Sequence, residues 1–297
     1  MSDSLVSVVM PNYGQEKFIT EAILGVLSQK TNFEVELIVA DDCSPDNTES
    51  VVKSIINDHP NGHWIKYIRH CENKGAIQNF VWTLQQAIGK YIAICEGDDY
   101  WIDPLKLQKQ VDFLEKNHDY SLCFHRTDEL HLNGEIKRSD YTCSEDLEKT
   151  FLLSDLLTGN FIHTPSVVFK NIFEIPEWIK ESPIGDYLMW LLIAEQGKIK
   201  YLPRPMAIYR AGVGIWSSQS QQKSQLNWLK AKSIIISNTE NIQIKESLQK
   251  SLYNNSVWFM KSIYPNYSSL INNHIYEHNS KLSFFTLLKM TIKKLFS

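Results

Sequence analysis

The chain has 297 residues, of which 43% are hydrophobic and 11% are aromatic. This composition excludes a disordered chain and a low-complexity fibre, because it supplies enough apolar surface for a large core. The net charge of −4 argues against a nucleic-acid partner, since phosphate binding requires an excess of basic residues. The five cysteines are odd in number and form no CxxC pair, which argues against a disulfide framework and a structural zinc site.

Neither a signal peptide nor a membrane-spanning helix is expected from the sequence. The N-terminal segment MSDSLVSVVMPNYG lacks a basic region followed by a long apolar run, which a signal peptide requires. No apolar run reaches the length of about 18 residues that a helix needs to cross a bilayer. We therefore expect a soluble, cytoplasmic protein.

Segments typical of strands and helices alternate through the N-terminal third of the chain. Short β-branched apolar runs predict strands, and apolar residues repeating every three or four positions predict helices between them. The predicted strands are Leu5–Met10, Val35–Ala40, Trp64–Ile68 and Tyr91–Cys95, and the predicted helices are Glu16–Gln29, Asp46–Ile56 and Ala76–Ile88. This alternation indicates an α/β protein with a mainly parallel sheet, in which ligands bind at the carboxyl ends of the strands.

The rest of the chain is predicted to be less regular. Its expected elements are a helix over Pro104–Asn117, a strand over Tyr120–Phe124, a hairpin around Asn133-Gly134, a strand over Ser166–Phe169, a helix over Tyr187–Ala194 and two short strands in 199–210 broken by Pro203 and Pro205. From residue 217 onward the composition shifts to Ser, Asn, Gln and Lys, with apolar residues at helical spacing. This last region is predicted to form three or four helices.

The loop Glu96-Gly97-Asp98-Asp99 carries the clearest chemical signal. It places three carboxylates at the carboxyl end of a predicted buried strand, where their like charges repel one another. A divalent cation relieves this repulsion, and oxygen ligands favour Mg²⁺ or Mn²⁺ over Zn²⁺. The alternative that the residues alone allow is a solvated acidic loop without a ligand.

Two other loops each have a functional and a plain structural interpretation. In PNYGQE (11–16), Tyr13 offers an aromatic face for stacking a planar base, but the segment also reads as a turn that starts a helix. In HCENKG (70–75), Lys74 can face an anion, and Gly75 permits a left-handed backbone before the next helix. A plain turn explains this second loop equally well.

The loop DDCSPD (41–46) combines helix capping with two unexplained carboxylates. Ser44 before Pro45 is typical of a helix N-cap, and Asp46 suits the first turn of the helix. Capping does not explain Asp41 and Asp42. An acidic residue after a strand of such a sheet commonly binds a ribose hydroxyl.

Two glycine-rich phosphate motifs do not occur in the sequence. The patterns GxGxxG and GxxxxGK[ST] are both missing, so a pyrophosphate would not be held by a glycine-rich helix start. This argues against a hydride-transfer enzyme and an ATPase. A bound nucleotide diphosphate would therefore need the metal for charge neutralisation.

Four segments between Pro11 and Glu115 together resemble the family 2 glycosyltransferases. They are, in chain order, PNYGQEKFI, VADDCSPDNT, ENKGAIQNF and GKYIAICEGDDYWIDPLKLQKQVDFLE. A weaker resemblance continues to Ser217 through HTPSVVF, GDYLMWLLIAEQGKIKYLP and IYRAGVGIWS. The resemblance implies a GT-A-like fold with a nucleotide-sugar-binding catalytic domain over 1–216. Residues 217–297, which match no family motif, would form a helical extension.

The resemblance also implies roles for individual residues. Those expected to bind the nucleotide sugar are Pro11, Tyr13 and Glu16 at the base, Asp42 at the base or ribose, Asn73, Lys74 and Gly75 beside the nucleotide, Asp98 at the ribose and Arg210 at a phosphate. Asp98 and Asp99 occupy the DxD-like position and would bind Mn²⁺ or Mg²⁺, while Glu96 stands where many relatives have the first Asp. Asp186 stands where relatives place the catalytic base, and Ala211 replaces a His that many relatives have.

Asp186 also fits a purely local role. Gly185-Asp186 precedes an apolar segment, which makes Asp186 a good helix N-cap. The two roles are compatible, because a helix N-terminus favours an ionised carboxylate near neutral pH. As a base, Asp186 would take the proton from an acceptor hydroxyl as that oxygen attacks.

The resemblance implies a metal-dependent, inverting transferase. It would move a sugar from a nucleotide-diphosphate donor, a UDP-sugar or another nucleotide sugar, to a hydroxyl of a glycan or lipid-linked glycan in bacterial surface polysaccharide or lipopolysaccharide synthesis. The alternatives on the same fold are a nucleotidyltransferase that makes the nucleotide sugar and a non-catalytic nucleotide-binding relative. The first usually has a glycine-rich basic loop where this chain has NYGQEKF, and the second would not need the carboxylates that are all present here.

The C-terminal segment KLSFFTLLKMTIKKLFS (281–297) contains lysines and no acidic residue. As a helix it would place Phe284, Leu287 and Leu288 on one side and Lys289 and Lys293 on another. This pattern is typical of a helix that lies on an anionic membrane surface. The alternatives are a final helix packed on the catalytic domain and a dimer contact.

Overall fold

The computed structural model describes residues 6–139, 146–172, 174–214 and 216–263. The described residues form two compact units that divide between Ser218 and Gln219. The first unit is an α/β fold around one sheet, and the second is helical.

The first four strands alternate with three helices along the chain. These elements are β1 (Val6–Asn12), α1 (Ile19–Leu27), β2 (Val35–Asp41), α2 (Thr48–Asp58), β3 (Ile65–Arg69), α3 (Ala76–Gln85) and β4 (Tyr91–Ile94). The strands pair in parallel in the order β3-β2-β1-β4, as their alternation with helices predicts. β2 is buried along its whole length, which is typical of a parallel strand covered by helices on both faces.

The second half of the sheet is mixed. Its elements are β5 (Tyr100–Trp101), α4 (Lys106–Lys116), β6 (Tyr120–Leu130), β7 (Ile136–Arg138), β8 (Lys149–Phe151), α5 (Leu153–Leu156), β9 (Val168–Lys170), α6 (Asp186–Ala194) and β10 (Lys198–Arg210). The order continues from β4 as β9-β6-β10-β5, with β7 on β6 and β8 on β10. β6 and β10 are parallel, whereas β9 runs antiparallel to both β4 and β6. The predicted α/β class, with helices flanking the sheet, is confirmed.

The core of the first unit lies between the sheet and its helices. β1 contributes Val6, Val8 and Met10, and α1 contributes Ile19 and Ile23, all of them fully buried. Burying side chains of this size stabilises a fold by about 1.5–3 kcal/mol each. This packing holds the carboxyl ends of the strands in place.

β10 is a single strand, and the prediction of two short strands broken by prolines is wrong. Its pairing with β6 continues past the prolines, but the register shifts between Leu202 and Pro205 and again between Pro205 and Ala207. Proline has no N–H to donate to the ladder, so it is tolerated where the register is irregular. The strand ends at Arg210, on the same edge of the sheet as the carboxyl ends of β1 and β4.

The start of α2 also differs from the prediction. The helix begins at Thr48 after Asn47, so the prediction of Ser44 as its N-cap is wrong. The N-cap residue is Asn47, and the side chain of Asp46 supports the helix start, because its Oδ1 accepts hydrogen bonds from the Thr48 N–H at 3.1 Å and the Thr48 hydroxyl at 2.6 Å. The Ser44 hydroxyl oxygen instead accepts the N–H of Gly14 at 2.9 Å and joins the loops after β1 and β2.

The hairpin predicted around Asn133-Gly134 is present between β6 and β7. Gly134 has a φ of 84°, which glycine adopts without steric cost. Its N–H donates to the carbonyl of His131 at 2.9 Å. The two strands then pair antiparallel.

The second unit contains two described helices, α7 (Gln221–Asn238) and α8 (Ile242–Ile263). The Ser220 side chain caps α7 by accepting the N–H of Lys223 at 3.3 Å. The two helices pack against each other through an apolar cluster that includes Leu229, Leu252 and Phe259.

The helical character predicted for the C-terminal region is confirmed over α7 and α8. Among the residues that the structure describes, no helix is both long enough and apolar enough to cross a bilayer. The segment 281–297, and with it the predicted membrane contact, lies outside the described residues.

Candidate active site

The loops that follow β1 and β2 are joined at one edge of the sheet. The two strands are parallel neighbours, so their carboxyl ends coincide. The N–H of Glu16 donates to Oδ2 of Asp46 at 3.0 Å, and the N–H of Asn47 donates to Oε2 of Glu16 at 2.7 Å. The carboxylate of Glu16, which is predicted to lie at the base pocket, therefore also holds the second loop.

Asp41 and Asp42 connect these loops to the next one. Asp41 is fully buried, and its Oδ2 accepts the hydroxyl of Tyr67 at 2.6 Å. Asp42 is 2% exposed, and its two oxygens accept the N–H groups of Lys74 at 2.7 Å and Gly75 at 2.9 Å. Asp42 thus shapes the loop after β3, in which the resemblance places three nucleotide contacts.

The exposed residues of these loops leave polar and aromatic groups open to a ligand. The Tyr13 side chain is 46% exposed, and the Asn73 and Lys74 side chains are exposed. Gly75 precedes α3 and has a φ of 93°, a backbone conformation that glycine adopts without steric cost. The structure brings to this one edge the predicted nucleotide-binding residues Pro11, Tyr13, Glu16, Asp42, Asn73, Lys74 and Gly75.

The loop after β4 carries the carboxylates of Glu96, Asp98 and Asp99. Glu96 and Asp98 are partly buried, and Asp99 is 1% exposed. Burial, together with the charges of Asp98 and Asp186, raises the pKa of Glu96 to about 8. Burial also raises the pKa of Asp98 and of Asp99, and the charges of Asp98 and Glu96 add to the effect on Asp99. Carboxyl groups that oppose one another's ionisation favour a cation between them.

Arg210, the last residue of β10, braces this acidic loop. Its N–H donates to Oδ1 of Asp99 at 2.9 Å, and its guanidinium Nη1 donates to the carbonyl of Asp98 at 2.5 Å. Nη2 pairs with Glu21 of α1. The guanidinium also lies 4.5 Å from the ring centroid of Tyr100. The structure thus gives Arg210 several protein partners, and the phosphate contact stays a prediction.

The side chains of Asn12 and Gln15, for which the sequence predicts no individual role, lie against the acidic loop from the side of β1. Gln15 hydrogen-bonds the Asp98 carboxylate. The amide oxygens of Asn12 and Gln15 are buried and have no hydrogen-bond partner among the described residues. Both oxygens face Gly97, where an added Cβ would overlap them. The one signal in the sequence is the glycine itself, since glycine often marks the close approach of another group.

Asp186 is the first residue of α6, and its charge acts on Glu96. The N-cap is Gly185, so the prediction of Asp186 as N-cap is wrong by one position. Burial raises the pKa of Asp186, although hydrogen bonds from the Tyr187 N–H and the Asn160 side chain lower it. Burial therefore outweighs the helix N-terminus, and a carboxylate with a raised pKa is a stronger base.

Two contacts fix the start of α6. Gly185 lies against Phe80 of α3, where an added Cβ would come within 3.1 Å of the ring. The Tyr187 hydroxyl donates to the carbonyl of Leu156 at 2.9 Å and so joins α6 to α5. Asp186 consequently lies beside α3, whose preceding loop contains the residues 73–75.

The acidic loop has the donor chemistry that suits Mg²⁺ or Mn²⁺. Oδ2 of Asp99 is buried without a hydrogen-bond partner among the described residues, and Glu96 and Asp98 add two further carboxylates. Within the described ranges, no group of three or more His, Cys, Asp or Glu side chains is arranged to hold a metal ion. The loop therefore fits a cation bound by one or two carboxylates, with its other positions open to ligand oxygens.

His163 lies in a buried polar cluster near the end of β10. Its Nε2 is 2.8 Å from the hydroxyl of Ser139, and its ring centroid is 5.0 Å from that of Tyr209. The Ser139 hydroxyl also bonds Glu129 at 2.6 Å. Burial lowers the pKa of His163 to about 4, so the imidazole is neutral at pH 7.

Cys95 ends the strand region immediately before the acidic loop and is fully buried. Burial and the charge of Asp99 raise the pKa of its thiol well above the usual range. Because the thiolate is the reactive form, this cysteine is a poor nucleophile.

The sequence matches known proteins over most of the α/β unit. Residues 7–174 match the family model described as glycosyl transferase family 2. The chain is 37% identical over 217 residues to the uncharacterized protein Rv1520 of Mycobacterium tuberculosis, covering 72% of this chain and 61% of that protein. It is 30% identical over 199 residues to the Escherichia coli UDP-Glc:alpha-D-GlcNAc-diphosphoundecaprenol beta-1,3-glucosyltransferase WfgD, covering 67% of this chain and 73% of WfgD. The chain thus spans about three fifths of the length of the mycobacterial relative.

Solved structures share the fold. TarS of S. aureus in complex with UDP aligns with a TM-score of 0.61 at 20% identity, covering 89% of this chain and 74% of that chain. The mannosyltransferase PcManGT from Pyrobaculum calidifontis in complex with GDP-Man and Mn²⁺ aligns with a TM-score of 0.59 at 15% identity, covering 100% of this chain and 82% of that chain. These likenesses confirm a GT-A-like fold. Because the family model covers more than half of the chain, the chain belongs to glycosyl transferase family 2.

Proposed function

We propose that the chain is a metal-dependent, inverting glycosyltransferase. It would transfer a sugar from a UDP-sugar to a hydroxyl of a glycan or lipid-linked glycan, in the synthesis of a bacterial surface polysaccharide or lipopolysaccharide. The observation that carries the proposal is the position of Asp186, a partly buried carboxylate that lies outside the acidic loop but close enough for its charge to act on Glu96.

The relatives support the proposed substrates. WfgD, as its name states, combines a UDP-sugar donor with a diphosphoundecaprenol-linked acceptor. TarS structures contain UDP or UDP-GlcNAc. The complex of PcManGT with Mn²⁺ supports a divalent cation in the proposed reaction.

The loops after β1, β2 and β3 would bind the nucleotide. The ring of Tyr13, which is exposed, would stack on the base. Each oxygen of Asp42 accepts one main-chain N–H and keeps a lone pair for a base N–H or a ribose hydroxyl. Asn73 and Lys74 would contact the nucleotide from the loop that Asp42 holds.

Asp98 would be the main metal ligand, with Glu96 beside it. Asp99 offers one buried oxygen, while its other oxygen ties the loop to Arg210. When bound, Mn²⁺ or Mg²⁺ balances the charge that develops on the departing nucleotide diphosphate. Arg210 would hold the acidic loop in shape for this task.

Asp186 would act as the general base. It would accept the proton of the acceptor hydroxyl while that oxygen attacks the anomeric carbon on the face opposite the diphosphate. The bond from the anomeric carbon to the diphosphate oxygen breaks as the new glycosidic bond forms, so the configuration inverts. No covalent intermediate on the protein is needed.

The reaction would take place in the cytoplasm, at the inner face of the cell membrane. A lipid-linked acceptor like that of WfgD supports this location. Flotation on anionic liposomes of the full-length chain and of a version ending at Asn279 tests the contribution of residues 281–297. Loss of flotation in the shorter version is the expected result, and equal flotation would contradict a membrane role of that segment.

A donor screen followed by a product assay tests the proposed function. Thermal unfolding with a panel of nucleotide sugars, with and without Mn²⁺, should show the largest stabilisation for one UDP-sugar with Mn²⁺. That donor should then release UDP only when an acceptor is present. Release of pyrophosphate from a nucleoside triphosphate would instead indicate a nucleotidyltransferase, and no turnover would indicate a non-catalytic relative.

A further inference from the structure

Asn160 lies between α5 and the short helical turn Thr164–Ser166, inside the region that matches the family model but outside the motif segments quoted in the sequence analysis. Its side-chain nitrogen donates to Oδ2 of Asp186 at 3.3 Å. We propose that Asn160 is a positioning residue that orients the carboxylate of Asp186 for proton transfer. The proposal rests on the proposed role of Asp186 as the base.

The orientation of the Asn160 amide follows from its second contact. Its Oδ1 accepts the N–H of Ile162 at 3.1 Å. Because that N–H requires an oxygen, the amide oxygen faces Ile162 and the nitrogen faces Asp186. Asn160 therefore presents a hydrogen-bond donor to the carboxylate.

The segment that carries Asn160 follows α5, and α5 is joined by a hydrogen bond to α6, which begins with Asp186. The Tyr187 hydroxyl of α6 donates to the carbonyl of Leu156 in α5 at 2.9 Å, only a few residues before Asn160. Asp186 also receives the N–H of Tyr187. The amide of Asn160 and the main-chain N–H groups at the start of α6 thus hold the carboxylate, and lone pairs are left for the acceptor hydroxyl. Such supporting hydrogen bonds keep a reacting group in its productive geometry.

Two substitutions separate the two contacts of the amide. Asn160→Asp keeps an oxygen for the Ile162 N–H but replaces the donor that faces Asp186 with a second acceptor. Asn160→Ala removes both contacts. Thr158→Ala is the matched control, because Thr158 is exposed on the same segment and its hydroxyl donates to the carbonyl of Asp155 at 2.7 Å.

The experiment measures kcat, the Kd of UDP with Mn²⁺ and the unfolding temperature of the full-length variants. Both Asn160 substitutions should lower kcat by about 10- to 100-fold, the effect of losing one hydrogen bond to a charged group. The Kd of UDP with Mn²⁺ should match that of the control in both variants, whereas the unfolding temperature of Asn160→Asp should fall, because its new carboxylate faces that of Asp186. A wild-type kcat in Asn160→Asp would overturn the proposal. That result would show that only the hydrogen bond from the Ile162 N–H to the side chain of residue 160 matters.

A loss of UDP affinity as large as the loss of kcat would also overturn it, since that result indicates general damage to the site. The failure of this proposal can be distinguished from failure of the proposed function. A wild-type chain that transfers no sugar contradicts the proposed function, and the role of Asn160 falls with it. An active wild-type chain with an equally active Asn160→Asp variant contradicts only the assignment of Asn160.

Discussion

The main-chain N–H of Arg210 donates to Oδ1 of Asp99 at 2.9 Å and joins the end of β10 to the acidic loop. The guanidinium adds a hydrogen bond to the Asp98 carbonyl at 2.5 Å and an ion pair with Glu21. Arg210 of β10 therefore fixes the backbone of Asp98, and Glu21 of α1 fixes the guanidinium of Arg210. This arrangement makes the orientation of the predicted metal ligand depend on residues far from it in the sequence.

Arg210→Ala should lower the free energy of unfolding by about 1–3 kcal/mol, because it leaves the partly buried carbonyl of Asp98 without its donor. It should also weaken the binding of UDP with Mn²⁺, since the acidic loop loses its brace. Urea unfolding and calorimetry measure the two effects. Glu21→Gln is the control and should cost under about 1 kcal/mol, because the side chain of Glu21 is 55% exposed. Equal effects of the two substitutions would contradict the role of Arg210.

Asp98→Ala should abolish the Mn²⁺ dependence of UDP binding, because Asp98 is the proposed main ligand. Asp99→Asn should retain much of that dependence, since the amide oxygen can still accept the Arg210 N–H while one like charge is removed. Calorimetry of UDP binding with and without Mn²⁺ compares the two variants. A Mn²⁺ effect that survives in Asp98→Ala would refute the assignment.

Gly97→Ala should destabilise the fold by about 1–3 kcal/mol and weaken UDP binding with Mn²⁺. An added methyl group would overlap the amide oxygens of Asn12 and Gln15, and Gln15 also bonds Asp98. Gly159→Ala is the matched control, because nothing lies within 4 Å of a Cβ added there. Thermal unfolding and calorimetry on both variants measure the difference, and a harmless Gly97→Ala would contradict the close packing.

Acidification should destabilise the protein through His163. Burial lowers its pKa to about 4, whereas an unfolded histidine has a pKa of about 6.5. Between these values the unfolded chain binds more protons, so this contribution to stability is complete above the unfolded pKa and is lost as the pH falls toward 4. His163→Gln should therefore remove about 1–2 kcal/mol of the stability lost between pH 7 and 5.

Urea unfolding at the two pH values measures this contribution. The matched control is His63→Gln, because His63 is exposed and should leave the pH dependence unchanged. An identical pH dependence in wild type and His163→Gln would show that the imidazole does not carry the effect.

Much of the fold is predictable because local and tertiary preferences agree in its first half. The β-branched runs that form β1 and β2 are fully or almost fully buried, so their composition reports their position directly. β10 could not be predicted as one strand, because its continuity depends on pairing with β6 across an irregular register at Pro205. The N-cap of α2 was misplaced since Ser44 finds a tertiary partner in Gly14.

The site is predictable only in part, for a similar reason. The sequence predicts Asp98 and its neighbours as site residues, because it places several carboxylates close together at the end of a buried strand. The contacts of Arg210 and Asn160 depend on chain segments that meet only in the folded protein. The contact of the Gln15 amide with the acidic loop could be inferred from the sequence only through Gly97, the glycine that the amide approaches.

The most direct measurement compares sugar transfer and UDP binding in Asp186→Asn. The substitution keeps the size of the side chain but removes the proton acceptor, so transfer should fall by about 100- to 10,000-fold, as expected for the loss of a general base. The Kd of UDP with Mn²⁺ should stay close to that of the wild type. Transfer at the wild-type rate, or an equal loss of transfer and UDP binding, would contradict the role of Asp186 as the catalytic base.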